Sequence, residues 1–279
     1  MTTDHRDIIL HTCEQTAKEI RHDVLKMALC TGNTGAHIGG SLSIVEIMAV
    51  LYRGIMKHDP AHPLMEKRDR FILSKGHGVL SLYAALQQTG YIPKELLWTF
   101  KQNDSPLTGH PSLNQTLGIE FSSGSLGQGL SLGIGVALAL KRKQNHTSRV
   151  YVLLGDGECN EGSIWEAAAF AAHHTLQNLI VIIDKNGLQY DGKTEDILSM
   201  EPFSDKWKSF GWNTITIDGH NIGQLYDALT YQSSKPFVII AETIKGKGIS
   251  FIENNPKWHN SRLTQDQYNK AILELGCSL

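Results

Sequence analysis

Cysteine is scarce in this chain: four residues among 279, at Cys13, Cys30, Cys159 and Cys277. They form no CxxC pair and no Cys/His spacing suited to zinc, which leaves four free thiols in a reducing compartment. Cys159 adjoins a Gly-Asp-Gly turn, but no local basic cluster is there to lower its pKa, so it reads as structural. An excess of charge of one sign is also missing. The net charge of -2 gives no field that would gather nucleic acid or an anionic membrane. No apolar run reaches the roughly 20 residues that span a bilayer. The opening MTTDHRDIILHTCEQ carries acids near its start and lacks the basic-then-apolar pattern of a signal peptide. Aromatic and basic residues do not interleave as on a base-stacking surface. No Ser/Gly-rich linker and no internal repeat divides the chain. These absences predict a cytoplasmic protein of one domain that binds neither nucleic acid nor membrane.

Glycine and histidine, by contrast, are abundant, with 26 and 13 residues. Several histidines stand beside glycines, in GAHIGG, SKGHGVL, LTGHPS and DGHNIG. Glycine lets a loop backbone bend and approach a ligand closely, so a neighbouring histidine gains access to it.

The apolar pattern alternates between helix and strand. Helical spacing predicts helices over residues 4–30, 41–56, 78–90, 125–145, 163–174, 222–231 and 263–276, with Ser41 or Ser43 as an N-cap. Short apolar runs predict strands at 70–74, 149–154, 179–184, 213–218 and 236–244. Strands apolar on both faces that alternate with helices predict an α/β fold, a parallel sheet flanked by helices on both faces. In such sheets ligands bind beyond the C-terminal ends of the strands.

Two such ends carry matching chemistry. LLGDGE places Asp156 after one strand, and IIDKNG places Asn186 after the next, with 28 residues between Gly157 and Asn186. Asp156 offers a hard anionic oxygen, Asn186 a neutral amide oxygen, and the backbone near Gly187 and Leu188 a third. Magnesium prefers such oxygens and completes its shell with water and substrate phosphates. Gly155 and Gly157 free the turn for close approach, and the helix that follows presents N–H groups to an anion. Either turn alone is a common turn; together, around a strand-helix-strand unit, they point to a metal-bridged diphosphate.

The Gly-Asp-Gly followed by Asn after an intervening helix resembles the thiamine-diphosphate-binding motif. GAHIGGSLSIVEIMAVLY, SKGHGVLSLYAAL, LTGHPS, SSGSLGQGLSLGIGVALA, GDGECNEGSIWEA and IKGKGISFIENNPKWH narrow the resemblance to the transketolase family, in the family's order from about residue 15 to 260. The resemblance covers the family's N-terminal, diphosphate-binding part and implies a thiamine-diphosphate-binding fold over 1–279. The pyrimidine-binding and C-terminal domains would then belong to a second polypeptide. It implies thiamine diphosphate with Mg2+, or another divalent cation such as Ca2+ or Mn2+. Asp156, Asn186 and the Leu188 carbonyl would hold the metal, and the Gly157 N–H would meet the diphosphate. His77 and His259 would stand at the diphosphate and the site mouth. Gly124, Ser125 and Leu126 would lie against the cofactor rings, with Ser125 where the family often has proline. His37 and His110, and with them His259, would serve catalysis at the sugar's reacting carbons, where histidine can donate to a hydroxyl or exchange a proton near neutral pH. Glu161 would stand near an interface between paired sites, although an acid at a helix start is also favoured by the dipole alone. The KGKG at 245–248 fits a phosphate site or a solvated turn equally.

The implied reaction is transfer of a two-carbon ketol unit from a ketose phosphate to an aldose. The implied partner is a C-terminal subunit carrying the pyrimidine-binding domain, in an α2β2 heterotetramer that acts on sugar phosphates. Two other readings stay open: a subunit of another thiamine diphosphate enzyme, similar to a 2-oxo acid dehydrogenase α-subunit or to deoxyxylulose-phosphate synthase, and a non-catalytic regulatory relative.

Overall fold

The computed structural model describes residues 3–276; Cys277 lies outside them. The strands are β1 (Arg70–Leu73), β2 (Val150–Gly155), β3 (Leu179–Lys185), β4 (Leu188–Gln189), β5 (Gly192–Lys193), β6 (Asn213–Asp218) and β7 (Phe237–Glu242). Five of them form one parallel sheet in the order β1-β2-β3-β7-β6, while β4 and β5 form a small antiparallel hairpin. The helices are α1 (Thr3–Cys30), α2 (Gly39–Leu42), α3 (Val45–Val50), α4 (Val79–Gln88), α5 (Lys94–Leu97), α6 (Gly129–Arg142), α7 (Gly162–His173), α8 (Thr194–Leu198), α9 (Phe203–Ser209), α10 (Ile222–Thr230) and α11 (Gln265–Glu274).

Strand alternation explains why both faces are covered. Tyr151, Leu153, Ile180, Ile182 and Ile239 point into a core completed by α1, α3, α4 and α10. Val150, Val152, Leu154, Val181, Ile183 and Ile240 point the other way, against α6, α7 and α9. Burying each such side chain contributes about 1.5–3 kcal/mol, so a charge at Val152 or Val181 would break the layer. β6 departs from the expected pattern. It is an edge strand, and Ile215 on its open face is 39% exposed.

The expected helix over 41–56 is divided into α2, α3 and a π-helical turn at Leu51–Ile55. Neither Ser41 nor Ser43 caps it. The Ser41 hydroxyl donates to the His37 carbonyl, and the Ser43 hydroxyl donates to Asp184 Oδ2 at 2.7 Å, with the Gly40 carbonyl 3.2 Å away. The helix expected over 125–145 begins only at Gly129, because Gly124 and Gly127, with φ of 154° and 79°, keep the preceding segment out of the helix. A 3-10 turn, Gly157–Asn160, separates the Gly-Asp-Gly from α7, so that helix does not open directly on the turn. Periodicity alone gives no signal for the hairpin or for α5, α8 and α9, all of which are short.

Candidate functional site

Loops leaving β1, β2, β3 and β7 meet beyond the C-terminal edge of the sheet and enclose a cavity of about 420 Å³. Its walls include His37, His77, His110, Gly124, Leu126, Asp156, Gly157, Glu161, Asn186, Leu188 and His259. Thus eleven of the twelve expected site residues converge. Ser125 is the exception: it is exposed and does not line the cavity.

The two turns at the strand ends are joined directly. Asp156 Oδ2 accepts from the Gly187 N–H at 2.7 Å, and Oδ1 from the Gly157 N–H at 2.9 Å. The Asn186 amide nitrogen donates to Asp184 Oδ2 at 2.8 Å, and its oxygen accepts from the Leu188 N–H at 3.1 Å. The Leu188 carbonyl already accepts from a cation, Lys245 Nζ, at 3.1 Å. Burial, then the nearby Asp184 carboxylate, pushes Asp156 up to about 6. A cation beside it would reverse that shift.

These oxygens fit a divalent cation carrying a diphosphate. Each accepts one hydrogen bond and keeps a further lone pair. Gly157 is also fitted to its place: a Cβ there would lie 2.6 Å from Gln189 Oε1. Among the described residues no group of three His, Cys, Asp or Glu side chains is placed to hold a metal. One carboxylate, one amide and one carbonyl make a set that leaves positions for phosphate oxygens and water.

Beneath the cavity lie polar residues that the motifs did not single out. Asp184 is fully buried and accepts from Lys75, Ser43, Thr243 and Asn186. Burial alone would raise its pKa, but Lys75 first, then the hydroxyls, pull it below the usual carboxylate range. Glu158, also buried, accepts from Ser74, from the Gly127 N–H at 2.9 Å and from the Gly155 N–H at 3.0 Å. It ties the end of β1, the Gly-Asp-Gly turn and the glycine segment before α6 into one unit. A legible signal existed for two of these residues: an acid closing the otherwise apolar LIVIID, and one directly after the Gly-Asp-Gly. Lys245, the first residue of KGKG, is buried in the site rather than solvated.

Four histidines cluster at the mouth. The His37 ring lies 5.8, 5.3 and 5.3 Å from those of His77, His110 and His259. Lys245 Nζ is 3.1 Å from His259 Nδ1; an ammonium only donates, so Nδ1 accepts and the His259 proton sits on Nε2. Burial, reinforced by neighbouring histidines and lysines, lowers His37 to about 4 and His259 to about 3. Burial and Lys75 hold His77 well below its ordinary value, and burial and Lys101 lower His110. All four are neutral at pH 7. Each is therefore available to exchange a proton, and His259, whose Nδ1 is taken by Lys245, presents a donor.

A pH dependence follows. A histidine with a depressed folded pKa contributes full stability above about 6.5 and loses it as pH falls. Asp156, raised to about 6, acts oppositely: its contribution is lost as pH rises through that value. Four histidines outweigh the two cavity carboxylates that burial raises, Asp156 and Glu158, so the metal-free chain should lose stability between pH 7 and 5. Denaturant midpoints across that range check this, and a double variant, His37→Asn with His259→Asn, should flatten the slope.

Comparison with known proteins agrees with this geometry. The family description "Transketolase, thiamine diphosphate binding domain" matches residues 13–278. A 6-deoxy-6-sulfo-D-fructose transketolase subunit of Clostridium sp. (strain MSTE9) is 46% identical over 243 residues, covering 86% of this chain and 88% of that one. An apulose-4-phosphate transketolase subunit of Actinobacillus succinogenes is 43% identical, covering 94% and 95%. The crystal structure of transketolase from Campylobacter jejuni superposes with a TM-score of 0.85 at 31% identity, over 97% of this chain but 43% of that one. This chain thus spans nearly the whole length of relatives named as subunits and about two-fifths of the solved transketolases. The chain belongs to the transketolase family, and it aligns with that family's thiamine diphosphate binding domain.

Proposed function

We propose that this chain is the diphosphate-binding subunit of a split, cytoplasmic transketolase, transferring a two-carbon ketol group from a ketose phosphate to an aldose together with a partner subunit that carries the pyrimidine-binding domain. The observation that carries the reading is the convergence of Asp156, Asn186, the Leu188 carbonyl and four neutral histidines in one cavity. Thiamine diphosphate, when bound, supplies the carbanion stabilisation that cleavage of a ketose requires. Asp156, Asn186 and Leu188 would hold Mg2+, or Ca2+ or Mn2+ in its place, through oxygen. Gly157, with His77 and Lys245 beside it, would receive the diphosphate. Gly124 and Leu126 would lie along the cofactor rings, and Ser125, turned outward, is assigned no contact with them.

His37, His110 and His259 stand together on the open side, where a sugar would enter. Held neutral, each would donate to or accept from a sugar hydroxyl and move its proton near neutral pH. His259 would present Nε2–H, since Lys245 occupies Nδ1. Glu161 lies on the exposed rim of the cavity, where a second pair of subunits in an α2β2 assembly would reach it.

The reading is tested by co-purifying the chain with its partner and assaying a panel of ketose phosphates with aldose acceptors. Ketol transfer is expected only when both chains, thiamine diphosphate and a divalent cation are present. Oxidative decarboxylation of a 2-oxo acid, with no ketol transfer, would sink it. An unaltered complex function after loss of the Asp156 carboxylate would favour the non-catalytic alternative.

A further inference from the structure

On the far side of the loop that delivers Lys245, outside the cavity, three groups from three separate elements form a network that the proposed chemistry does not use. Arg21 on α1 and His220 in the turn between β6 and α10 contact the Ile244–Gly248 segment, and Glu46 on α3 bridges the two. Arg21 and Glu46 are both buried. His220 Nε2 takes a hydrogen bond from the Ile244 N–H at 2.8 Å. A backbone N–H only donates, so Nε2 is the acceptor and Nδ1 carries the proton. Nδ1 donates to Glu46 Oε2, with the two atoms 3.0 Å apart. The other Glu46 oxygen pairs with Arg21 Nη2. Arg21 Nε closes the set by donating to the Lys247 carbonyl at 3.2 Å.

The loop is thus gripped at Ile244 and at Lys247, on either side of Lys245. Between these points the Lys245 side chain passes inward to the Leu188 carbonyl and to His259 Nδ1. The fit of Gly248 supports the same picture. Its φ is +96°, and a Cβ there would sit 2.8 Å from Arg21 Nε, so the guanidinium lies flush against the backbone.

Three polar groups are desolvated here to fix two backbone atoms. Apolar residues of similar volume often replace such buried networks with little loss of stability, so packing alone does not call for these residue types. Their specific product is the position of one backbone segment.

We propose that Arg21, Glu46 and His220 are positioning residues that set Lys245, from behind, for the anionic end of the cofactor. The inference rests on the diphosphate reading of the cavity. Outer partners that orient a binding group typically change affinity by 10- to 100-fold when removed.

The test is equilibrium binding of thiamine diphosphate, with magnesium, to the complex of this chain and its partner. His220→Ala is expected to weaken binding about 10-fold, with kcat at saturating cofactor nearly unchanged. His220→Gln, whose amide oxygen can still accept from Ile244, is expected to restore most of the affinity. Glu46→Gln, which keeps the shape, is expected to weaken binding to an intermediate degree and stands in if His220→Ala does not fold. In a Lys245→Met background, His220→Ala should cause no further loss, because its effect passes through Lys245. Wild-type affinity in both His220→Ala and Glu46→Gln would overturn the clamp alone. So would an equal loss with and without Lys245. A wild-type complex that binds no thiamine diphosphate would overturn the cavity reading and the clamp with it.

Discussion

Replacing Asp156 with alanine is expected to reduce magnesium-dependent retention of thiamine diphosphate at least about 100-fold and to remove ketol transfer with it. Disturbing the outer partners of a metal ligand already costs 10- to 100-fold, and this substitution removes the one carboxylate in the set. It also takes the acceptor from the Gly187 N–H, which joins the Asn186 turn to the Asp156 turn. Both the charge and the geometry of the site therefore go together. Asp156→Asn separates the two effects: side-chain volume is kept, the charge is lost, and a comparable loss is expected if charge dominates. The raised pKa adds a signature. Near pH 6 a proton competes with the metal for Asp156, so metal affinity of the wild type should fall as pH drops through that value. Isothermal titration at pH 7.5 and about 5.0, figures chosen to stand about a unit or more either side of a shifted carboxylate, checks both statements. Undiminished binding by Asp156→Ala would rule out this ligand set.

The second large effect concerns stability. Asp184→Ala removes the carboxylate on which Lys75, Ser43, Thr243 and Asn186 converge, leaving the Lys75 ammonium buried with only the Gly40 carbonyl. Removing one partner of a buried ion pair costs about 3–5 kcal/mol, a large share of the roughly 5–15 kcal/mol that stabilises an ordinary domain. Urea unfolding is expected to show a lower midpoint with an unchanged slope. A double variant, Asp184→Leu with Lys75→Met, should recover much of that stability but not cofactor binding, because Asn186 would still lack the acceptor that orients its amide. A loss below about 1 kcal/mol in Asp184→Ala would mean that the Lys75–Asp184 pair is effectively hydrated.

The fold is legible where the chain repeats one physical pattern. β2, and β3 from Leu179 to Ile183, read as strands because their positions are buried and carry no charge, and that is also why both strands lie inside the sheet rather than at its edge. The two turns can be paired from sequence because a strand-helix-strand crossover sets adjacent strand ends side by side, which brings Asp156 and Asn186 together. Such reasoning misses residues whose role depends on contacts distant in sequence. Asp184 is joined to Ser43 and Lys75, 141 and 109 positions away, and local periodicity carries no such information. The break in the 41–56 helix has the same origin: the Ser43 hydroxyl is directed to Asp184, and tertiary demand overrides helical spacing. Lys245 is ambiguous in sequence because KGKG suits a solvated turn as well as a site. What resolves it is the cavity wall supplied by Leu188 and His259, on other loops.

On the proposed function, this chain grips the diphosphate end of the cofactor and another chain completes the reacting end. The most direct measurement is turnover by the purified chain alone, given thiamine diphosphate, magnesium, xylulose 5-phosphate and ribose 5-phosphate. No ketol transfer is expected until the partner is added, after which activity should appear and saturate with partner concentration. Steady turnover by the isolated chain would contradict the account.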